Sequence, residues 1–124
     1  MPKLPTELQK ANRLRLVDAL RSGQYKQRRG RLRDTFDNSF CVGGVACDVI
    51  DPTKWNGDMY DGFATILPPS IGRAYGFNLG DNLLLGEGYD DENSAAPDLM
   101  YLNDTKQLSF RELADVIVKS CAGA

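Results

Sequence analysis

Apolar positions recur at helical spacing in four stretches of the chain. In "PTELQKANRLRLVDALRSG", Leu8, Ala11, Leu16, Val17 and Leu20 form an imperfect apolar side, Thr6 and Gln9 stand at capping-box spacing, and Gly23 suits the C-terminal end. "FCVGGVACDVI" is apolar almost throughout. Asn38 and Ser39 before it are cap-type residues and Asp51-Pro52 stops it, which predicts a second helix weakened by the pair Gly43 and Gly44. A short third helix is predicted in "LPPSIGRAYGF", with Pro68 or Pro69 in its first turn and Gly76 at its end. In "SFRELADVIVKS", Ser109 and Glu112 form a capping box, and Phe110, Leu113, Ala114, Ile117 and Cys121 follow as a stripe, so a final helix is predicted. Residues 29–33, 62–67 and 82–85 read as strands, enough for a small antiparallel sheet. "GEGYDDENSAAPD" reads as a polar loop, and Asn103 and Asp104 read as a turn into the last helix. The expected fold is α+β: a small single domain over residues 1–124, with about four helices and a short antiparallel sheet.

Composition agrees with that size. With 124 residues, 42% hydrophobic and 26% charged, the chain falls in the range of one globular domain with a core of its own. The three cysteines, Cys41, Cys47 and Cys121, are odd in number and form no CxxC pair, so free thiols in a reducing compartment are expected. No apolar run reaches the roughly 18 residues that span a bilayer, and "MPKLPTELQK" has no signal-peptide core. A cytoplasmic location without a membrane partner is the expectation.

Charge is unevenly placed. Residues 1–33 carry ten Lys/Arg against two acids, and residues 34–124 carry five against fifteen, so the two parts stand at +8 and −10 within a net charge of −2. Either the first part offers a basic face to a partner, or the two parts attract each other within one fold.

The chain contains no histidine. Ser-His and Cys-His nucleophile pairs and His-ligated metal sites are thereby excluded, and catalysis would fall to carboxylates, lysine or an unassisted thiolate. Neither phosphate-cradling glycine pattern occurs. Asp90-Asp91-Glu92 and the pair Asp58 and Asp61 offer oxygen ligands without calcium-loop spacing; they read as solvated loops, and no metal or cofactor is expected. Cys41 is the candidate nucleophile, because a thiol at the start of a helix meets the positive end of its dipole, although no base accompanies it. The competing reading makes Cys41 and Cys47 small buried residues, and Gly43 and Gly44 points of close helix approach.

In "QYKQRRGRLRD" the candidate binding residues are Tyr25, Lys26, Arg28, Arg29, Arg31 and Arg33. Extended backbone would send Arg29, Arg31 and Arg33 to one side and Lys26 and Arg28 to the other. Three guanidinium groups on one side suit phosphates or an acidic protein face, and they equally suit the acidic remainder of the chain.

The blocks "YKQRRGRLR", "FCVGGVACD", "LPPSIGRAYGF" and "LNDTKQLSFRELADVI" resemble, in the same order over nearly the whole chain, a family of small uncharacterised phage and bacterial proteins. The family's pattern is similar to YKQGRGxLR, YCCLGVLCD, LPxxVxxWxGL and LNDxGxSFxEIADxIE. This chain departs from it at Arg28 and Arg31, where the pattern has glycine and a small residue. Val42 replaces the second of two adjacent cysteines and Gly43 replaces a leucine, so a mechanism that needs both adjacent thiols does not carry over. The resemblance implies a phage or prophage accessory protein rather than a particular reaction. Small accessory proteins of that kind often bind a host factor or signalling molecule, which needs no catalytic base. The expectation is therefore a non-catalytic binding protein, with a host protein or small ligand favoured over nucleic acid as partner. The alternatives are a phosphate-backbone binder working through residues 25–33, a thiol enzyme using Cys41, and a virion or assembly component.

Overall fold

The computed structural model describes residues 6–76, 78–79, 83–84 and 99–121. Among them are helices α1 (Glu7–Arg21), α2 (Val42–Ile50), α3 (Pro69–Tyr75), α4 (Leu99–Asp104) and α5 (Phe110–Cys121). Two-residue strands lie between the helices: β1 (Lys26–Gln27), β2 (Arg33–Asp34), β3 (Ser39–Phe40), β4 (Trp55–Asn56), β5 (Met59–Tyr60), β6 (Asn78–Leu79) and β7 (Leu83–Leu84). The architecture is α+β. One sheet has the order β1-β3-β2, with β1 parallel and β2 antiparallel to β3, while β4 with β5 and β6 with β7 are antiparallel pairs.

Both capping boxes form. The Thr6 hydroxyl accepts the Gln9 N–H at 3.1 Å and the Gln9 side chain accepts the Thr6 N–H at 2.9 Å. At α5 the Ser109 hydroxyl accepts the Glu112 N–H at 3.1 Å and Glu112 accepts the Ser109 N–H at 2.9 Å. Leu16, Val17 and Leu20 of α1, Val42, Val45 and Ala46 of α2, and Leu113, Ala114 and Ile117 of α5 meet in the core with Tyr60, Ile71 and Tyr75. Helix α1 lies against α2, α3 and α5 and is the element around which the others assemble.

The imperfect apolar side of α1 has a structural reason. Leu8 and Ala11 are exposed, and the first turns of the helix dock through polar side chains instead. Gln9, Asn12 and Arg13 donate to the carbonyls of Arg73, Ala74 and Tyr75 at 2.7, 2.8 and 2.6 Å, and Arg13 reaches Gly76 as well at 3.1 Å. The orphan carbonyls at the end of α3 thus find donors, and a buried guanidinium stands at the negative end of its dipole.

Four expectations need correction. The Asn103-Asp104 turn is instead the last turn of α4, a helix whose six residues are too few for periodicity to reveal. Helix α2 does not start from Asn38 or Ser39: Ser39 lies in β3 and Cys41 is the N-cap residue. Of residues 62–67 only Phe63 pairs, as an isolated bridge to Tyr60. Of residues 29–33 only Arg33 is in a strand, β2, because Gly30 takes the left-handed conformation, φ 87°, and donates its N–H to Asp104 Oδ1 at 3.1 Å, which turns the chain between β1 and β2. Leu83 and Leu84 form β7 as expected, while residues 82 and 85 and the segment 86–98, with Asp90, Asp91 and Glu92, lie outside the described residues.

Candidate functional site

Cys41 follows β3 and occupies the N-cap position of α2, and its side chain is fully buried. Burial pushes the thiol pKa from 9.0 up to about 12; the Gly43 and Gly44 N–H groups at the helix start oppose that shift without overcoming it, and the Asp104 charge adds to it. Cys47, also buried, is raised further still by burial. Both thiols are free, and the Cys121 side chain lies outside the described residues. Burial outweighs the helix dipole at the Cys41 thiol.

Beside Cys41 lies a pair of side-chain amides that sequence reasoning gave no such part. Asn103, fully buried at the end of α4, accepts on Oδ1 from the Val42 N–H at 3.2 Å and from Gln27 Nε2 at 3.0 Å. Its Nδ2 donates to the Arg28 carbonyl at 2.9 Å and to Asp104 Oδ1 at 2.7 Å. Gln27 in turn donates to the Leu108 carbonyl at 2.8 Å and accepts the Phe110 N–H at 3.1 Å. Two amides therefore join β1, the start of α2, α4 and the start of α5. The available signal was their presence in the blocks "YKQ" and "LND"; nothing in the local spacing announces a cap supplied from 61 residues away.

The arginine segment does not present one row of charges. Tyr25 turns inward, with its hydroxyl on Asp48 Oδ2 at 2.6 Å and its ring edge-on to Phe40 at 5.1 Å. Its pKa is raised, first by burial and then by the Asp48 carboxylate. Asp48 also accepts the Trp55 indole N–H at 3.0 Å, and Phe40, Trp55 and Tyr60 continue the edge-to-face series. The Arg33 guanidinium stands 5.3 Å from the centroids of both Phe40 and Trp55. Lys26 pairs with Asp37 at 3.3 Å, Arg28 with Asp34 at 2.9 Å and Arg31 with Asp58 at 3.4 Å. Arg29 is exposed and has no ion pair or hydrogen bond among the described residues. The expected grouping of Arg29, Arg31 and Arg33 on one side is thus not formed: one is free, one is paired and one lies on aromatic rings.

A family model described as Domain of unknown function (DUF8296) matches residues 9–121, which include the Gln27 and Asn103 amides, Cys41 and the whole arginine segment. The chain belongs to the DUF8296 family. No curated protein and no solved structure matches it. Among the described residues of this DUF8296 chain no His/Cys/Asp/Glu group is arranged to hold a metal ion, and no helix is long and apolar enough to cross a membrane.

Proposed function

We propose that this DUF8296 protein is a non-catalytic binding protein of the phage accessory kind, acting in the cytoplasm on a host protein or signalling ligand. The observation that carries this reading is the condition of Cys41, the one nucleophile the sequence singles out: it is fully buried, its pKa is pushed up to about 12, and the Asn103 and Gln27 amides near it are spent on backbone groups. A chain without histidine also offers no Ser-His or Cys-His pair in its place. The pairing of Lys26, Arg28 and Arg31 with carboxylates supports a protein or small-ligand partner over a phosphate backbone, because Asp34, Asp37 and Asp58 would stand against the same phosphates.

The test is affinity purification of the tagged chain from the cells that encode it, followed by titration of the purified captured component. A stoichiometric complex with a saturable binding curve is the expected result. An oligonucleotide titration followed by fluorescence anisotropy is run beside it. Tight, salt-sensitive binding there would replace this reading with the phosphate-backbone alternative.

A further inference from the structure

Asparagine followed by glycine occurs once in the chain, at Asn56-Gly57. The pair stands at the turn of the β4–β5 hairpin: Asn56 ends β4 and pairs with Met59, and Gly57 and Asp58 form the two-residue loop. Gly57 takes the left-handed conformation, φ 61°, and a Cβ built on it would meet nothing within 4 Å. Its N–H donates to no group among the described residues. Asn56 is exposed, and its carboxamide has no hydrogen-bond partner among the described residues.

Other described asparagine side chains are secured. Asn12 and Asn103 are buried, with their carboxamides held by the Ala74 carbonyl at 2.8 Å and by the α2 and β1 backbone. Asn38 accepts from Arg33 at 3.1 Å and is followed by the buried Ser39. A side-chain carboxamide beside an unhindered glycine nitrogen can close a five-membered ring. Attack needs the Asn56 side chain to turn over the Gly57 nitrogen. Asn56 is the last residue of a strand of two, so opening the tip breaks few ladder bonds.

We propose that Asn56 is a site of spontaneous deamidation, with water as its co-reactant, and that the isoaspartyl product unfastens two hairpins. The Gly57 amide nitrogen, deprotonated by hydroxide, attacks Asn56 Cγ. The N–Cγ bond forms, the Cγ–Nδ2 bond breaks, and ammonia leaves with a proton from water. Water then opens the succinimide at either carbonyl. Cleavage at Cγ gives aspartate; cleavage at the main-chain carbonyl reroutes the chain through Cγ and gives isoaspartate. No oxidant or reductant is involved.

Position makes this change consequential. Asp58, two residues on, ties the β4–β5 tip to the β2–β3 turn: Oδ1 accepts the Thr35 N–H at 2.7 Å and Oδ2 pairs with Arg31 at 3.4 Å. Isoaspartate adds a carbon atom to the main chain directly before Gly57, so the pairing of residue 56 with Met59 and the placement of Asp58 cannot both be kept. It also sets a new carboxylate beside Asp58, where like charges repel.

The experiment holds the full chain folded in weakly alkaline buffer, then digests it for peptide mapping by mass spectrometry, with electron-transfer fragmentation to tell isoaspartate from aspartate. Asn56 is expected to convert while the circular dichroism stays native, with isoaspartate in excess and a rate that rises with pH. Asn56→Gln, whose ring would be six-membered, should stay intact on the same scale. The isoaspartyl form, separated by ion exchange, should melt below Asn56→Asp, which carries the charge without the extra carbon. An Asn56 that persists in the folded chain while a urea-unfolded sample converts overturns the inference. Aspartate as the sole product would mean direct hydrolysis and overturns it as well. Equal melting of the isoaspartyl form and Asn56→Asp removes the unfastening.

Discussion

A Cβ on Gly44 would stand 1.8 Å from the carbonyl oxygen of Leu32 and 2.7 Å from its carbon, and both atoms belong to backbone that cannot turn aside. That carbonyl also accepts the Cys41 N–H at 3.2 Å, so the chain before β2 and the first turn of α2 are in direct contact. Gly44→Ala is therefore expected to destabilise the protein by about 1–3 kcal/mol, by overpacking; an unchanged urea midpoint would show that the contact is absent. Cys41 gives the second expectation at this scale. A thiol pKa raised from 9.0 to about 12 by burial makes the thiolate far scarcer than in an ordinary cysteine, so native alkylation at neutral pH should be slower by orders of magnitude and recover in denaturant. The sign for stability follows. A group whose folded pKa is raised contributes fully below the unfolded value, so the contribution of Cys41 is intact at neutral pH and is lost as pH climbs from about 9 toward 12.

Helix ends show how local and distant control differ. Ser109 caps α5 from within its own sequence block, and Ser109→Ala should cost about 1 kcal/mol. The start of α2 receives no side-chain cap from its neighbours, and the Val42 N–H is taken by Asn103. Asn103→Ala leaves the buried Val42 N–H without its partner, at about 1–3 kcal/mol, and also removes the half-buried bond to the Arg28 carbonyl. It should therefore destabilise more than Ser109→Ala in the same denaturation series; equal or reversed costs would remove Asn103 from the centre of the fold.

For the molecule as a whole, the opposed charges of the two parts meet in ion pairs. Arg21 with Asp115, Lys26 with Asp37, Arg28 with Asp34 and Arg31 with Asp58 all join residues 1–33 to residues 34–124. Such exposed pairs are screened by water and salt and serve arrangement more than stability. Acid should expose them. Hydrogen bonds lower the pKa values of Asp37, from the Ser39 hydroxyl, of Asp51, from Thr53, and of Asp58, from the Thr35 N–H. Because the folded values lie below the unfolded ones, the contribution is full above about pH 4 and is lost as pH falls through the folded values. The melting temperature should drop below pH 4. Asp58→Asn, which keeps an acceptor for Thr35, should reduce that slope; an unchanged slope would mean that Asp58 does not titrate with folding.

Much of this was legible without coordinates, wherever the signal is local. The capping boxes at Thr6 and Ser109, the stop at Asp51-Pro52 and the end of α3 at Gly76 depend on residues within a turn of each other, and their chemistry is written in adjacent positions. The close approach at Gly44 was also readable, since a paired glycine in an apolar helix has few other uses. The two-residue hairpin loop Gly57-Asp58 also has a local signal, a glycine at its first position. What only the tertiary structure decided is which distant groups satisfy one another: Asn103 over the start of α2, Gln9, Asn12 and Arg13 over the end of α3, Arg33 on the rings of Phe40 and Trp55, and Asp58 between two hairpins. A buried donor or acceptor must find a partner, but spacing along the chain does not say which. That choice is made when the elements pack.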